Sequence, residues 1–217
     1  MLELYTWNTP NGYKVPILLE ELGIPYTLHM IDIHAGDQNS SAYDALNPNH
    51  KIPVLVDNET GITISESGAI LVYLAEKYKA LLASDVKPRA AQMQWLMFQM
   101  SGVGPMFGQA NHFLHYAPEK VAYGIERYTK ESQRLMQVMN RRLAEVPYLG
   151  TEYSIADIAM WPWIRKGIAA GFITLAEYPH VEQWYNDIAA RPAVVNATQK
   201  IDAATSSNVE ASLYSLV

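Results

Sequence analysis

The hydrophobic period of this 217-residue chain changes once, near Lys79 to Lys87, and that change constrains the fold more than any other feature. Before it, strand-like runs alternate with helical stripes; after it, only the helical period recurs. Leu2 to Thr6 reads as a short strand and Thr9-Pro10-Asn11-Gly12 as a turn. Val15, Leu18, Leu19 and Leu22 then fall at i, i+3, i+4 and i+7, with Gly23 where a C-terminal cap belongs. Tyr26 to Ile33 reads as a strand covered on both faces, followed by a polar segment, Gly36 to Asn49, with one turn of helix around Tyr43. Val54-Leu55-Val56 and Ile62-Thr63-Ile64 flank Asp57 to Gly61 as a hairpin, and a helix runs from Glu66 to about Tyr78. The order is βαβ and then ββα. That is a small α/β domain over residues 1–79.

From Lys87 no strand pattern returns, and residues 87–217 read as an all-helical domain. Met93, Leu96, Met97 and Met100 keep helical spacing up to Gly102-Val103-Gly104-Pro105, where a kink is expected. A long helix covers Glu119 to Glu145, and Arg127, Arg134 and Arg141 recur along it every seven residues. As a solvated face, that series would pair with Glu131 and Glu145 at i+4. Ser154 and Asp157 have the S-x-x-D spacing of a capping box, with Tyr153 and Ile158 as a hydrophobic staple. Two further helices are expected at Val181 to Ala190 and Pro192 to about Lys200, while the Ser- and Ala-rich tail from Ala203 carries little pattern.

Composition narrows the chemistry. There is no cysteine, which removes disulfides, thiolate metal sites, CxxC motifs and any cysteine nucleophile. If this protein performs thiol chemistry, a ligand must bring the thiol. The 22 acidic against 16 basic residues give a net charge of −6, a field that repels phosphate backbones and anionic membranes, so neither nucleic acid nor membrane is an expected partner. No targeting signal is visible at Met1 to Tyr5 and no apolar run approaches a membrane span, so a cytoplasmic location is expected. His112 and His115 at i, i+3 are the nearest approach to a metal motif. Two histidines alone fall short of a metal-ligand set, so no metal is expected. The methionines from Met93 to Met106 suit core, dimer packing or a permissive pocket, and Trp161-Pro162-Trp163 is simplest as core.

Three places offer a ligand something to hold. Pro53 enters a strand without a donor, which leaves the neighbouring backbone open; from spacing alone an ordinary trans edge proline is the simpler reading, and a cis Ile52-Pro53 bond the sharper one. Glu66 and Ser67 open a helix whose N–H groups and hydroxyl suit a carboxylate, while Glu66 suits an ammonium. A plain cap explains the same residues. Asn11 and Gly12, at a strand-to-helix junction, offer an amide and backbone donors that would stabilise a thiolate; the bland alternative is a turn.

Taken together with the element order, these features resemble the cytosolic glutathione transferase superfamily over essentially the whole chain. The resemblance rests on the βαβ–ββα order, Lys51-Ile52-Pro53-Val54-Leu55, Glu66-Ser67-Gly68-Ala69-Ile70, Ser154-Ile155-Ala156-Asp157 and Arg191-Pro192-Ala193. Thr9-Pro10-Asn11-Gly12 and Ile125-Glu126-Arg127-Tyr128 are similar to the bacterial nu class, related to the yeast Ure proteins and acting as glutathione-dependent disulfide-bond reductases. The resemblance implies a thioredoxin-like domain binding glutathione, a helical domain shaping a second site, and a homodimer. It implies Thr9 and Asn11 at the glutathione sulfur as the catalytic pair, Gln38 and Lys51 toward the glycyl end, and Ile52, before Pro53, pairing with the cysteinyl backbone. Glu66 and Ser67 would hold the γ-glutamyl group, and Arg127 would reach the site from one subunit or its neighbour. Tyr5, inside the first strand, keeps a tyrosine-type activation open; conjugation to an electrophilic carbon and a non-catalytic binding module remain the rival functions.

The thiolate requirement can be sized. A thiol with pKa about 8.5 is roughly 3% ionised at pH 7, and lowering it by about two units takes ~2.7 kcal/mol of differential stabilisation. One or two hydrogen bonds to the anion, at about 1.5–3 kcal/mol each, beside a helix N-terminus supply that without a charged base.

Overall fold

The computed structural model describes the backbone of residues 1–214 and the side chains of residues 1–207; Ser215 to Val217, the end of the tail, lie outside the described residues. The chain forms two compact units, one of Met1–Tyr78 with the chain from Arg191 onward, the other of Lys79–Ala190.

In the first unit, four strands, β1 (Leu2–Thr6), β2 (Tyr26–Met30), β3 (Val54–Asp57) and β4 (Ile62–Ser65), form a sheet in the order β2-β1-β3-β4. β1 and β2 are parallel, with Leu4 opposite Leu28; β1 pairs antiparallel with β3, Leu4 opposite Leu55, and β3 with β4 as the expected hairpin. β2 stops at Met30, short of Ile33. The cause is Asp32, whose Oδ1 accepts from the N–H of His34 at 2.8 Å and of Ala35 at 3.2 Å, turning the chain out of the ladder. As an edge strand, β2 is half-exposed rather than covered on both faces.

Helix α1 (Pro10–Leu22) makes the crossover that the parallel pair requires. Its cap is Thr9, whose Oγ1 accepts from Gly12 N at 3.1 Å, with Pro10 at a first-turn position, so the expected turn is the first turn of the helix. Pro16 sits inside α1 without an N–H to give Gly12 O. Thr6 Oγ1 donates to that carbonyl instead, at 3.0 Å, and ties β1 to the helix mouth. A Cβ at Gly12 would lie 1.9 Å from Trp7 O, so this approach admits only glycine. Helix α2 (Ser41–Asp44) is the single turn around Tyr43, and α3 (Ser67–Tyr78) follows β4. Leu4, Ile17, Leu18, Leu19, Leu55, Ile70, Leu71 and Leu74 are fully buried between sheet and helices.

The last helix, α9 (Pro192–Tyr214), departs from the expected helical domain of 87–217 in two ways. It runs well past Lys200, and it packs with the α/β unit, burying Val194, Ala197 and Ile201 and contacting α1. Arg191 forks onto Glu21 at 2.6 and 2.9 Å, and Tyr13 OH bonds both the Asp202 carboxylate and, at 2.7 Å, Asn8 Oδ1.

In the second unit, α4 (Val86–Phe98) and α5 (Gly104–Asn111) are joined by a π turn over Gln99–Val103, so the kink expected at Gly102 to Pro105 takes that form. A second π turn covers His112–Tyr116. Helices α6 (Ala122–Leu143), α7 (Ile155–Ala169) and α8 (Pro179–Ala189) complete it. The capping box at Ser154 and Asp157 is formed in full. Asp157 also accepts from Leu149 N at 3.0 Å and Trp184 Nε1 at 2.9 Å, so this buried carboxylate fixes three segments. Burial pushes its pKa up to about 6 against those hydrogen bonds.

Candidate functional site

Asn11, Asn47, Lys51, Ile52, Pro53, Glu66 and Ser67 line one cavity of about 160 Å³ in the α/β unit. Four pieces of chain build it. α1 contributes Asn11 from its first turn, one residue before the close approach at Gly12. The loop before β3 contributes Lys51, Ile52 and Pro53, and the Ile52-Pro53 bond is cis, which corrects the trans reading favoured by spacing. β3 begins at Val54, opposite Ser65, so the N–H and C=O of Ile52 enter neither strand ladder.

The carbonyl before that bond is held firmly. Lys51 O accepts from Asn47 Nδ2 at 2.7 Å and from Tyr43 OH at 2.9 Å. Asn47, itself buried, accepts from Asn49 N at 3.0 Å in a side-chain turn. Sequence reasoning saw a polar segment here and missed both anchors; a clue was the Asn47-Pro48-Asn49 turn signal three residues before Ile52.

The fourth piece is the start of α3. Glu66 has φ 68°, a left-handed conformation that a non-glycine residue adopts only under constraint, and Ile70 N bonds Glu66 O at 2.9 Å. Ser67 is 2% exposed and accepts from Lys14 Nζ at 3.2 Å. Lys14 is wholly buried; burial pushes its ammonium down to about 7 while the Glu66 carboxylate pulls the other way. It too was missed from the sequence, although it stands four residues before Leu18 on the apolar stripe.

The remaining expected residues fall outside this lining. Thr9 caps α1 two residues before Asn11, at the same helix mouth. Gln38, in a short 3₁₀ turn (Asp37–Asn39), donates from Nε2 to Ile33 O at 3.3 Å, and its buried Oε1 has no hydrogen-bond partner among the described residues. Arg127 belongs to the second unit, where it is exposed on α6 beside a groove of about 650 Å³ lined also by Tyr123, Lys130 and Arg134. Its expected i+4 partner, Glu131, is gripped instead by Arg134 at 2.7 and 2.8 Å. Tyr5 turns elsewhere: its ring stacks on His29 at 4.4 Å and its hydroxyl donates to Glu3 Oε2 at 3.2 Å. Among the described residues no group of three His, Cys, Asp or Glu side chains could hold a metal ion, and no helix is long and apolar enough to cross a membrane.

Chemically, the cavity presents an amide at a helix mouth, an open backbone edge, and a carboxylate next to a serine at a second helix start. Those are donors for an anion, a strand-like partner for a peptide, and a paired site for an amino acid head group. At about 160 Å³ it is smaller than the ~300–1,000 Å³ that encloses a whole drug-sized ligand, so it takes one part of an extended one.

The family model for the glutathione S-transferase N-terminal domain matches residues 1–76, and that for the C-terminal domain matches residues 103–192. The chain belongs to the glutathione S-transferase family. Among members of this family, the disulfide-bond oxidoreductase YfcG of Escherichia coli is 45% identical over 206 residues, covering 92% of this chain and 95% of that protein. A glutathione transferase from Burkholderia graminis, solved with two glutathione molecules bound per subunit, superposes with a TM-score of 0.86 at 42% identity, over 91% of this chain and 87% of that one. A glutathione transferase from Pseudomonas putida, solved with one glutathione disulfide per subunit, gives 0.85 at 40% identity, over 91% and 90%.

Proposed function

We propose that this glutathione S-transferase family member is a glutathione-dependent disulfide-bond reductase. The observation that carries the reading is the convergence of Asn11, Ile52, Glu66 and Ser67 on one cavity in a chain without cysteine. Such a site holds the thiol it cannot supply. The disulfide-bond oxidoreductase named above, and the neighbours solved with two glutathiones or one glutathione disulfide, support the same choice of chemistry.

In this reading Glu66 pairs with the γ-glutamyl ammonium, Ser67 and the start of α3 take its carboxylate, and the N–H and C=O of Ile52, held before Pro53, pair with the cysteinyl backbone. Gln38 and Lys51 serve the glycyl end, where the orphan Oε1 of Gln38 has an acceptor to offer. Asn11 Nδ2 donates to the sulfur and Thr9 supports it from the cap, both at the positive end of α1. Arg127 is included on the resemblance alone. The bound thiolate attacks one sulfur of the substrate disulfide; the S–S bond breaks, a mixed disulfide forms, and the departing thiolate takes a proton. A second glutathione thiolate then attacks the glutathione sulfur of that mixed disulfide, releasing the second substrate thiol and glutathione disulfide. The nu-class assignment, a homodimer and a cytoplasmic location belong to the same proposal.

The test pairs calorimetry of glutathione binding with turnover of 2-hydroxyethyl disulfide and of chlorodinitrobenzene. Disulfide turnover exceeding conjugation is expected, with Glu66→Ala and Ser67→Ala each losing about 1–3 kcal/mol of binding. Preference for the aryl halide would make this a conjugating transferase, and absence of glutathione binding would remove the reading altogether.

A further inference from the structure

A lysine with no exposed surface calls for an explanation that packing does not give. Lys14 lies three residues after Asn11 on α1, so the two share a helix face, and its neighbours Val15, Ile17 and Leu18 are all fully buried. Leucine or methionine would fill the same volume without the desolvation of an ammonium. What a lysine adds is its Nζ, 3.2 Å from the Oγ of Ser67, which lines the cavity.

We propose that Lys14 is a positioning and charge-supplying residue for recognition of a ligand carboxylate, acting from behind the cavity through Ser67. The inference rests on the reading of this cavity as the glutathione site. By donating to Ser67 Oγ, the ammonium sets its charge one hydroxyl behind the cavity wall and holds that oxygen in place for the carboxylate. A serine polarised by a cation is a better donor than a serine alone, and the charge behind it favours an anion in front. Glu66, on the same wall, provides the opposite charge for the ammonium of the same amino acid head group.

A second consequence separates this role from mere packing. The charge on Lys14 is not fixed: burial holds it down to about 7 in the free protein, so at pH 8 only about a tenth of the molecules carry it. A carboxylate arriving beyond Ser67 favours the ammonium, and binding therefore takes up a proton. The charged groups around α1 leave that coupling to the ligand. Glu66 at the head of α3 acts on Lys14 with or without ligand. Farther along α3, Lys77 and Tyr73 hold Asp57. On α9, Asp202 bonds Tyr13 and Asn8, and Lys200 lies over Tyr26 and reaches Glu20; just before it, Arg191 holds Glu21.

The experiment is calorimetry of S-methylglutathione binding at pH 8, in two buffers of different ionisation enthalpy. The blocked sulfur removes thiol ionisation from the proton count. The unaltered protein is expected to take up most of a proton, and its affinity to fall between pH 7 and 8.5 by up to tenfold per unit, the ceiling for one linked proton. The same ligand with 4-aminobutyrate replacing the γ-glutamyl residue lacks only the α-carboxylate and is expected to bind without that uptake. Lys14→Met is expected to bind S-methylglutathione at least tenfold more weakly at pH 7, with no proton exchanged. Equal proton uptake for both ligands, or binding with no uptake, overturns the role of Lys14 while leaving the glutathione site intact. Failure of the unaltered protein to bind S-methylglutathione at all removes the site and the inference together. The two-ligand comparison needs no variant, so it decides the matter even if Lys14→Met folds poorly.

Discussion

The side chain proposed to stabilise the thiolate is an amide, and the nearest rival is a phenol. Tyr5 is stacked on His29 and bonded to Glu3, and its hydroxyl is pushed up in pKa by burial and then by that carboxylate, which makes it a weaker donor to an anion. Asn11→Ala is therefore expected to raise the pKa of bound glutathione and slow disulfide reduction at pH 7 by about 10- to 100-fold, the equivalent of one charge-assisted hydrogen bond. Tyr5→Phe is expected to leave the rate within about twofold. A pH–rate profile for both, with thiolate absorbance as the equilibrium check, decides between them; collapse in Tyr5→Phe alone would hand the role to the phenol. Lys14 also makes a prediction about stability. Its folded pKa, about 7, lies below the ordinary 10.5, so between those values the unfolded chain binds more protons and stability rises with pH. Below pH 7 the full penalty applies. Lys14→Met is expected to lose this slope, on the order of 4 kcal/mol across the window, and to be at least as stable as the parent at pH 6. Urea midpoints from pH 6 to 10 measure it, and parallel curves for the two proteins would contradict it.

At the scale of elements, the site depends on how helices begin. The mouth of α1 is fixed three ways: Thr9 caps it, Thr6 takes the carbonyl that Pro16 leaves without a donor, and Gly12 allows Trp7 O to come close. The start of α7 is fixed by Asp157, which accepts from the main chain of Leu149 and Ser154, the Ser154 hydroxyl and the Trp184 indole. Asp157→Ala leaves these donors buried without an acceptor and is expected to cost about 3–5 kcal/mol. Asp157→Asn, which keeps a single acceptor oxygen, is expected to lose less. Equilibrium denaturation of both variants measures the difference, and a loss under about 1 kcal/mol for the alanine variant would mean that water or neighbours replace the carboxylate.

At the scale of the whole molecule, the order of elements in sequence is not their grouping in space. α9 lies after the helical unit in the chain and packs with the first unit. Arg191, just before α9, holds Glu21 near the C-terminal end of α1, and Asp202 on α9 holds Tyr13 near the mouth. A fragment of residues 1–78 would expose the part of α1 that α9 covers. It is expected to lack a cooperative thermal transition and to bind no glutathione. A sharp transition with parent-like binding by that fragment would show that α9 is dispensable.

By itself the sequence determined the periodic parts of this protein. The helix at Val15 to Leu22, the hairpin around Gly61 and the Ser154 capping box are legible because each depends on neighbours a few positions away, whereas Asn11, Ile52, Glu66 and Ser67 stood out only in combination, through the family resemblance. Helical stripes, caps and turns are local, and local chemistry is written in order along the chain. Tertiary structure decided the rest. The cis state of Ile52-Pro53, the burial of Lys14 behind Ser67, the Asn47 and Tyr43 anchors on Lys51 O, and the docking of α9 on α1 all join residues distant in sequence or turn on what covers them. Burial decides whether a lysine is a solvated surface charge or an ammonium near its titration point, and burial is a property of the packed whole.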